Sequence, residues 1–191
     1  ANITRELDIP TIYVSHLNDE IAMLCENMLV MGNNTLIRQG PTQEILPSLG
    51  LLSTIGEDLG EAGSLIEATV TGFSEALSMI DMAIGEQSMQ VLGLERPATA
   101  KVRLFLAARD VAIATYKPTQ LSIRNMLGVT IVGITPLSGH ARGLVAVDLT
   151  VDGSDESLCA HISKAACEAL NLKLGAEAFA LIKSARISAP A

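Results

Sequence analysis

Two kinds of patterning divide the chain. From about residue 64 onward, apolar side chains alternate with polar or small ones. Val145, Val147, Leu149 and Val151 alternate with Ala146, Asp148 and Thr150; Leu158, Ala160 and Ile162 with Cys159 and His161; Phe179 and Leu181 with Ala178 and Ala180. A period of two predicts half-buried antiparallel strands, because successive side chains of a strand point to opposite faces. Gly85, Gly93, Pro97, Ser138-Gly139 and Asp152-Gly153 punctuate them at spacings that suit small barrels. Before residue 47 the pattern is mixed. Thr11 to Val14 predicts a short buried strand, Ser15 with Asp19 and Glu20 opens a helix, and Ile21, Leu24 and Met28 give that helix one apolar face. Asn27 to Met31 and Thr35 to Gln39 flank the turn signal Gly32-Asn33-Asn34, which predicts a hairpin ended by Gly40-Pro41; a short helix follows around Gln43 to Leu46.

An internal repeat organises the alternating part. ATVTGF at 68–73 matches VTIVGI at 129–134, an offset of 61, and RLFLAARDVAI at 103–113 matches EAFALIKSARI at 177–187, an offset of 74. The helical pattern of Ser163 to Asn171 accounts for most of the difference. The expected fold is mainly β, with tandem OB-like antiparallel barrels behind the C-terminal remnant of an α/β domain. The expected division is 1–46 for the remnant, 47–63 for a Gly-bearing linker, 64–115 for the first barrel and 120–188 for the second.

Composition narrows the function classes. With 191 residues, 49% of them hydrophobic, the chain can build a real core, and that core must be aliphatic because there are 3 Phe, 2 Tyr and no Trp. A net charge of −8 argues against a nucleic-acid surface, which needs a basic face to neutralise phosphates. Three scattered cysteines, Cys25, Cys159 and Cys167, give no disulfide framework and favour a reducing compartment. The longest uncharged stretch, Asn125 to Ala141, is broken by Gly128, Gly133, Pro136 and Gly139, unlike a membrane-spanning helix.

The segment IPTIYVSHLNDEIAMLCENMLVMGNNTLIRQGPTQEIL resembles the end of an ABC-transporter ATPase domain. The resemblance implies that His16, after Val14-Ser15 at a strand end, contacts the γ-phosphate of ATP in a longer parent protein. No phosphate loop, signature motif or hydrophobic run ending in Asp-Glu occurs in these residues, so ATP and Mg²⁺ are expected only in that parent and no hydrolysis by this chain alone.

Ser122-Ile123-Arg124-Asn125 before the strand Met126 to Ile134, His161-Ile162-Ser163 opening a helix, and Leu181-Ile182-Lys183-Ser184 together resemble the molybdate-binding barrel called Mop or TOBE. With the ATPase ending in front, the whole chain resembles the C-terminal half of a molybdate-importer ATP-binding subunit. The resemblance implies an oxyanion site, for molybdate or tungstate, at Ser122, Arg124, Asn125, Ser163 and Lys183, formed between two copies of the chain. The chemistry suits those residues: a buried dianion needs compensating charge and donors from several directions, and Arg124 and Lys183 supply two cations while Ser122 supplies a hydroxyl. Ala166 stands where the family carries a second hydroxyl, an expected loss of about 1–2 kcal/mol for one hydrogen bond to a charged group. Arg109 aligns with Lys183 at the offset of 74 and marks a candidate second, degenerate anion site.

The implied function is an oxyanion-sensing regulatory region that modulates ATP-driven import, cytoplasmic and peripheral on the membrane, with a homodimer and a membrane permease as partners and no nucleic acid. Competing readings are the effector domain of a molybdate-responsive transcription regulator, an intracellular molybdate store, and an oligonucleotide-binding barrel, the last opposed by five aromatics and the acidic balance. A metal site at Cys159, His161 and Cys167 lacks a fourth ligand at a usual zinc spacing, and no metal is expected.

Overall fold

Alternation becomes strand, and strand becomes barrel, across most of the chain. The computed structural model describes residues 10–32, 34–52, 61–137, 142–183 and 185–187. The N-terminal part holds α1 (Asn18–Leu24), the hairpin β1 (Asn27–Gly32) and β2 (Thr35–Pro41), α2 (Thr42–Ile45), a 3-10 turn over Leu46–Ser48 and α3 (Leu49–Leu52). The barrels hold β3 (Gly63–Ser74), β4 (Met79–Ile84), β5 (Gln87–Leu92), β6 (Lys101–Ala107), β7 (Val111–Ala114), β8 (Asn125–Pro136), β9 (Leu144–Val151), β10 (Ser157–Ser163), α4 (Lys164–Ala169), β11 (Glu177–Ile182) and β12 (Arg186–Ile187). No helix among the described residues is long and apolar enough to cross a membrane.

Two five-stranded antiparallel sheets result, in the orders β12-β6-β3-β4-β5 and β10-β9-β8-β11-β7. Each takes its last strand from the other half of the chain: β7 pairs with β11, and β12 pairs with β6. The long strands β3 and β8 occupy equivalent central places. Each carries a bulge, between Val70 and Gly72 and between Ile131 and Gly133, where glycine faces Asp81 or Asp148. Close approach is sharper in the second copy: a Cβ on Gly72 would lie 3.3 Å from the Asp81 carboxylate, which a small shift relieves, whereas one on Gly133 would strike that of Asp148.

Both sheets bury their inner faces in one core, in which Ile66, Val70, Ile80, Met82 and Leu104 meet Leu127, Val129, Val147, Leu149 and Ala160. In β11 the inward side chains are Ala178, Ala180 and Ile182, with Phe179 only partly buried on the other face. The pattern Phe179/Leu181 against Ala178/Ala180 therefore faces opposite to the reading from hydrophobicity alone, since the interior has room for alanine beside the larger residues of β8. A second apolar cluster lies outside the barrels, where Ala22, Met28, Val30, Ile45, Leu46 and Leu49 cover Leu65, Phe105, Ala108, Ala146 and Cys159.

Two expectations at the N-terminal end change. Thr11 to Val14 forms no strand, and Ile12 and Val14 are 88% and 90% exposed, because among the described residues no strand lies beside them to satisfy their backbone and cover their side chains. The segment expected as a linker, 47–63, begins with the end of the 3-10 turn and then α3, whose Leu49 is buried; residues 53–60 lie outside the described residues, and β3 starts at Gly63.

Candidate functional site

β8 and β11 build the cationic end of the site. Their ladder pairs Asn125 with Ile182, so Arg124, just before that pair, and Lys183, just after it, sit at the same end of the sheet. Both side chains are exposed, as is Ser122. Among the described residues neither cation has an ion-pair partner, in contrast to Arg103, Arg109 and Lys164. The Lys183 backbone is fixed by its N–H donating to the Asp110 carbonyl at 3.0 Å. Asn125 is held differently: its Oδ1 accepts from the Gln90 N–H at 2.8 Å and its Nδ2 donates to the Gln90 carbonyl at 2.7 Å. One N–H of that amide is left for any ligand.

Ser163 lies elsewhere within the chain. It pairs with Leu144, and Val145 pairs with Pro136, which puts Ser163 at the far end of β8 from Asn125. Its side chain caps α4, accepting from the Ala166 N–H at 3.1 Å. The structure thus brings Arg124, Asn125 and Lys183 to one sheet end, with Ser122 exposed two residues ahead of Arg124, and leaves Ser163 apart.

Arg109 is not the counterpart of Lys183 along the sheet. The ladders pair Ala68 with Val102 and Val129 with Ala178, so β6 and β11 correspond at an offset of 76 and Lys183 matches Ala107. Arg109 instead forms an ion pair with Glu61, whose carbonyl accepts from the Asn18 Nδ2 of α1 at 3.1 Å. Burial pushes the Glu61 carboxyl up, and Arg109 opposes this. His16 is exposed just ahead of α1, where Glu20 accepts from the Tyr13 hydroxyl at 2.7 Å and the Ser15 hydroxyl at 3.0 Å.

Two residues around the site were invisible to motif reading. Gln90 is the partner of Asn125, and Gln87 bonds β8 directly: its Nε2 donates to the Gly128 carbonyl at 2.9 Å and to that of Asp152 at 2.8 Å, while its Oε1 accepts from the Gly128 N–H at 2.6 Å. A half-buried glutamine on a strand carries no signal of its own, and only the approach of β5 to β8 gives these amides a task. Cys159 and His161 are neighbours of Asp148; burial first, then the nearby carboxylate, pushes the Cys159 thiol up to about 12. Among the described residues no three His, Cys, Asp or Glu side chains gather as a metal site.

Comparison with known proteins bears on the family and the fold. The TOBE domain family matches residues 121–189. The molybdenum import ATP-binding protein ModC of Mesorhizobium japonicum is 35% identical over 179 residues, which are 94% of this chain and 46% of that protein. Its counterpart from Escherichia coli K12 is 33% identical over 187 residues, covering 98% of this chain and 51% of the relative. The chain thus spans about half the length of the curated relatives it matches. A molybdate-bound crystal form of the cytoplasmic molybdate-binding protein ModG superposes with a TM-score of 0.58 at 24% identity, over 66% of this chain and 96% of that one, a likeness of fold. Residues 121–189 thus match the TOBE domain family, and nearly the whole chain is similar to the C-terminal half of the molybdenum import ATP-binding proteins.

Proposed function

We propose that this chain binds a small tetrahedral oxyanion, molybdate or tungstate, and that the bound anion regulates an ATP-driven importer. The observation that carries the reading is the pair Arg124 and Lys183: two exposed cations at one sheet end, without ion-pair partners among the described residues, in a chain of net charge −8. A doubly negative ion between them meets a planar fork of donors from Arg124, a compact charge from Lys183 and the Ser122 hydroxyl.

One chain does not close this site, because Ser163 is at the other end of β8. A second copy supplies it, so that each site joins Arg124 and Lys183 of one chain to Ser163 of the other. The anion then stabilises one placement of the two copies over others, the differential affinity that any ligand-driven change requires. In the longer protein, ATP with Mg²⁺ occupies the nucleotide domain, His16 contacts the γ-phosphate, and a membrane permease is the transport partner; the assembly works at the cytoplasmic face of the membrane.

Calorimetric titration with molybdate, tungstate and sulfate tests the proposal. Binding of molybdate or tungstate is expected, lost in Arg124→Ala and in Lys183→Ala. Mixing Arg124→Ala with Ser163→Ala chains is expected to restore binding, because half of the sites in a mixed dimer are intact. Absence of heat with every anion would overturn the reading, and binding by Arg124→Ala at wild-type affinity would move the site elsewhere. At a hundredfold excess over Kd the anion should stabilise the fold by about 2.7 kcal/mol.

A further inference from the structure

The start of β8, which directly follows Arg124, lacks strand support on one side. β11 pairs with it from Asn125, whereas β9 joins only from Val129 onward. Apart from the Asp152 N–H donating to the Gly128 carbonyl, the open side is met by side chains of β5, a strand of the other sheet. Gln87 copies a peptide group there, accepting from the Gly128 N–H and donating to its carbonyl, while Asn125 does the same to Gln90. A Cβ on Gly128 would sit at ordinary contact distance, 3.6 Å, from the Gln87 Oε1, and would crowd the Asp152 carboxylate at 3.1 Å.

The other copy offers an internal comparison. Gly72 and Gly133 fix the equivalence of β3 and β8, and Asp81 and Asp148 that of the strands opposite. Ser64 then stands where Asn125 does and Cys159 where Gln90 does, and the contact is repeated: the Ser64 Oγ accepts from the Cys159 N–H at 2.7 Å. The charges are not repeated. Gly63 takes the place of Arg124, with the Phe105 ring 2.6 Å from where a Cβ would be, and Ala107 takes that of Lys183. The first copy keeps the clamp without the cations.

We infer that Gln87 is a positioning residue for the oxyanion site: from the first barrel it holds, together with Asn125, the strand start that directly follows Arg124 in the second. The inference rests on the proposed oxyanion reading. It assigns the two copies different tasks, one holding and one binding, and it moves Asn125 from ligand toward support.

The test is calorimetric titration of the full chain with molybdate, run beside thermal unfolding without anion. Gln87→Ala is expected to raise Kd about tenfold, the order expected for losing the net worth of an amide hydrogen bond or two. Gln87→Glu keeps the shape and the acceptor for the Gly128 N–H, loses both donors, and should move Kd in the same direction. Ser64→Ala breaks the first copy's counterpart of the Asn125 contact, on the side without cations; it should lower the unfolding midpoint and leave Kd unchanged. A purely structural Gln87 would shift only the midpoint, so wild-type affinity in both Gln87 variants overturns the inference alone. Absence of binding by the wild-type chain overturns the oxyanion reading, and this inference with it.

Discussion

His161 shows how a single position can set a pH dependence. It lies on β10 opposite Ala146, and its Nε2 is buried without a hydrogen-bond partner among the described residues. Burial pushes its pKa down, and the Asp148 carboxylate opposes this without reversing it. The unfolded chain therefore takes up a proton near pH ~6.5, where the folded chain does not. Stability contributed by the neutral ring is present above that pH and is lost as pH falls through it. The thermal unfolding midpoint is expected to drop between about pH 7 and 6, and His161→Gln should flatten that part of the profile. A wild-type midpoint that rises on acidification over the same interval would contradict the assignment. Cys159, on the same strand face, is kept a neutral thiol by burial and by Asp148, which suits its place in the apolar cluster beneath the N-terminal elements.

At the scale of elements, the two sheets meet through turns and side chains. The turn between β4 and β5 passes the one between β9 and β10 so closely that a Cβ on Gly85 would overlap the Gly153 carbonyl, and Gly85 also has φ of +56°. Both the conformation and the space demand glycine there. Gly85→Ala is expected to destabilise the fold by about 1–3 kcal/mol, read as a lower urea midpoint with unchanged slope. The neighbouring Thr130 hydroxyl donates to the Asp152 carboxylate at 2.9 Å, which ties the same turn to β8. Damage at Gly85 should therefore reach the support of Arg124 as well, and weaken oxyanion binding along with stability.

For the whole molecule, strand exchange decides cooperativity. Because β7 completes the sheet of β8 and β11, and β12 that of β3 and β6, neither half has a full sheet alone, and both share one core. The two barrels are expected to unfold in a single transition with equal calorimetric and van't Hoff enthalpies. Residues 64–115 or 120–188 expressed separately should lack the sheet signal in circular dichroism. Two resolved transitions, or a stably folded half, would show that the exchanged strands contribute little. The N-terminal elements pack on the outside of the same body, with Leu46 and Leu49 buried against the barrel surface, so they are expected to stabilise it as well.

Strands such as Leu144–Val151 and Ser157–Ser163, the hairpin β1–β2 and the cap at Ser163 were determined by the sequence alone, because alternation, turn residues and capping act over a few neighbouring positions. Short motifs that keep their order in the chain singled out Arg124 and Lys183 as candidates, and the β8–β11 ladder places them at one sheet end. Tertiary structure alone decided that Thr11 to Val14 is not a strand, that Ala178 and Ala180 face inward in place of Phe179, that Arg109 answers Glu61 while Lys183 matches Ala107, and that Gln87 and Gln90 hold the start of β8. The physical reason is common to all four. A strand's partner, its inward face and the task of an amide or a charge depend on what arrives from tens of residues away, and local preference carries no information about that arrival.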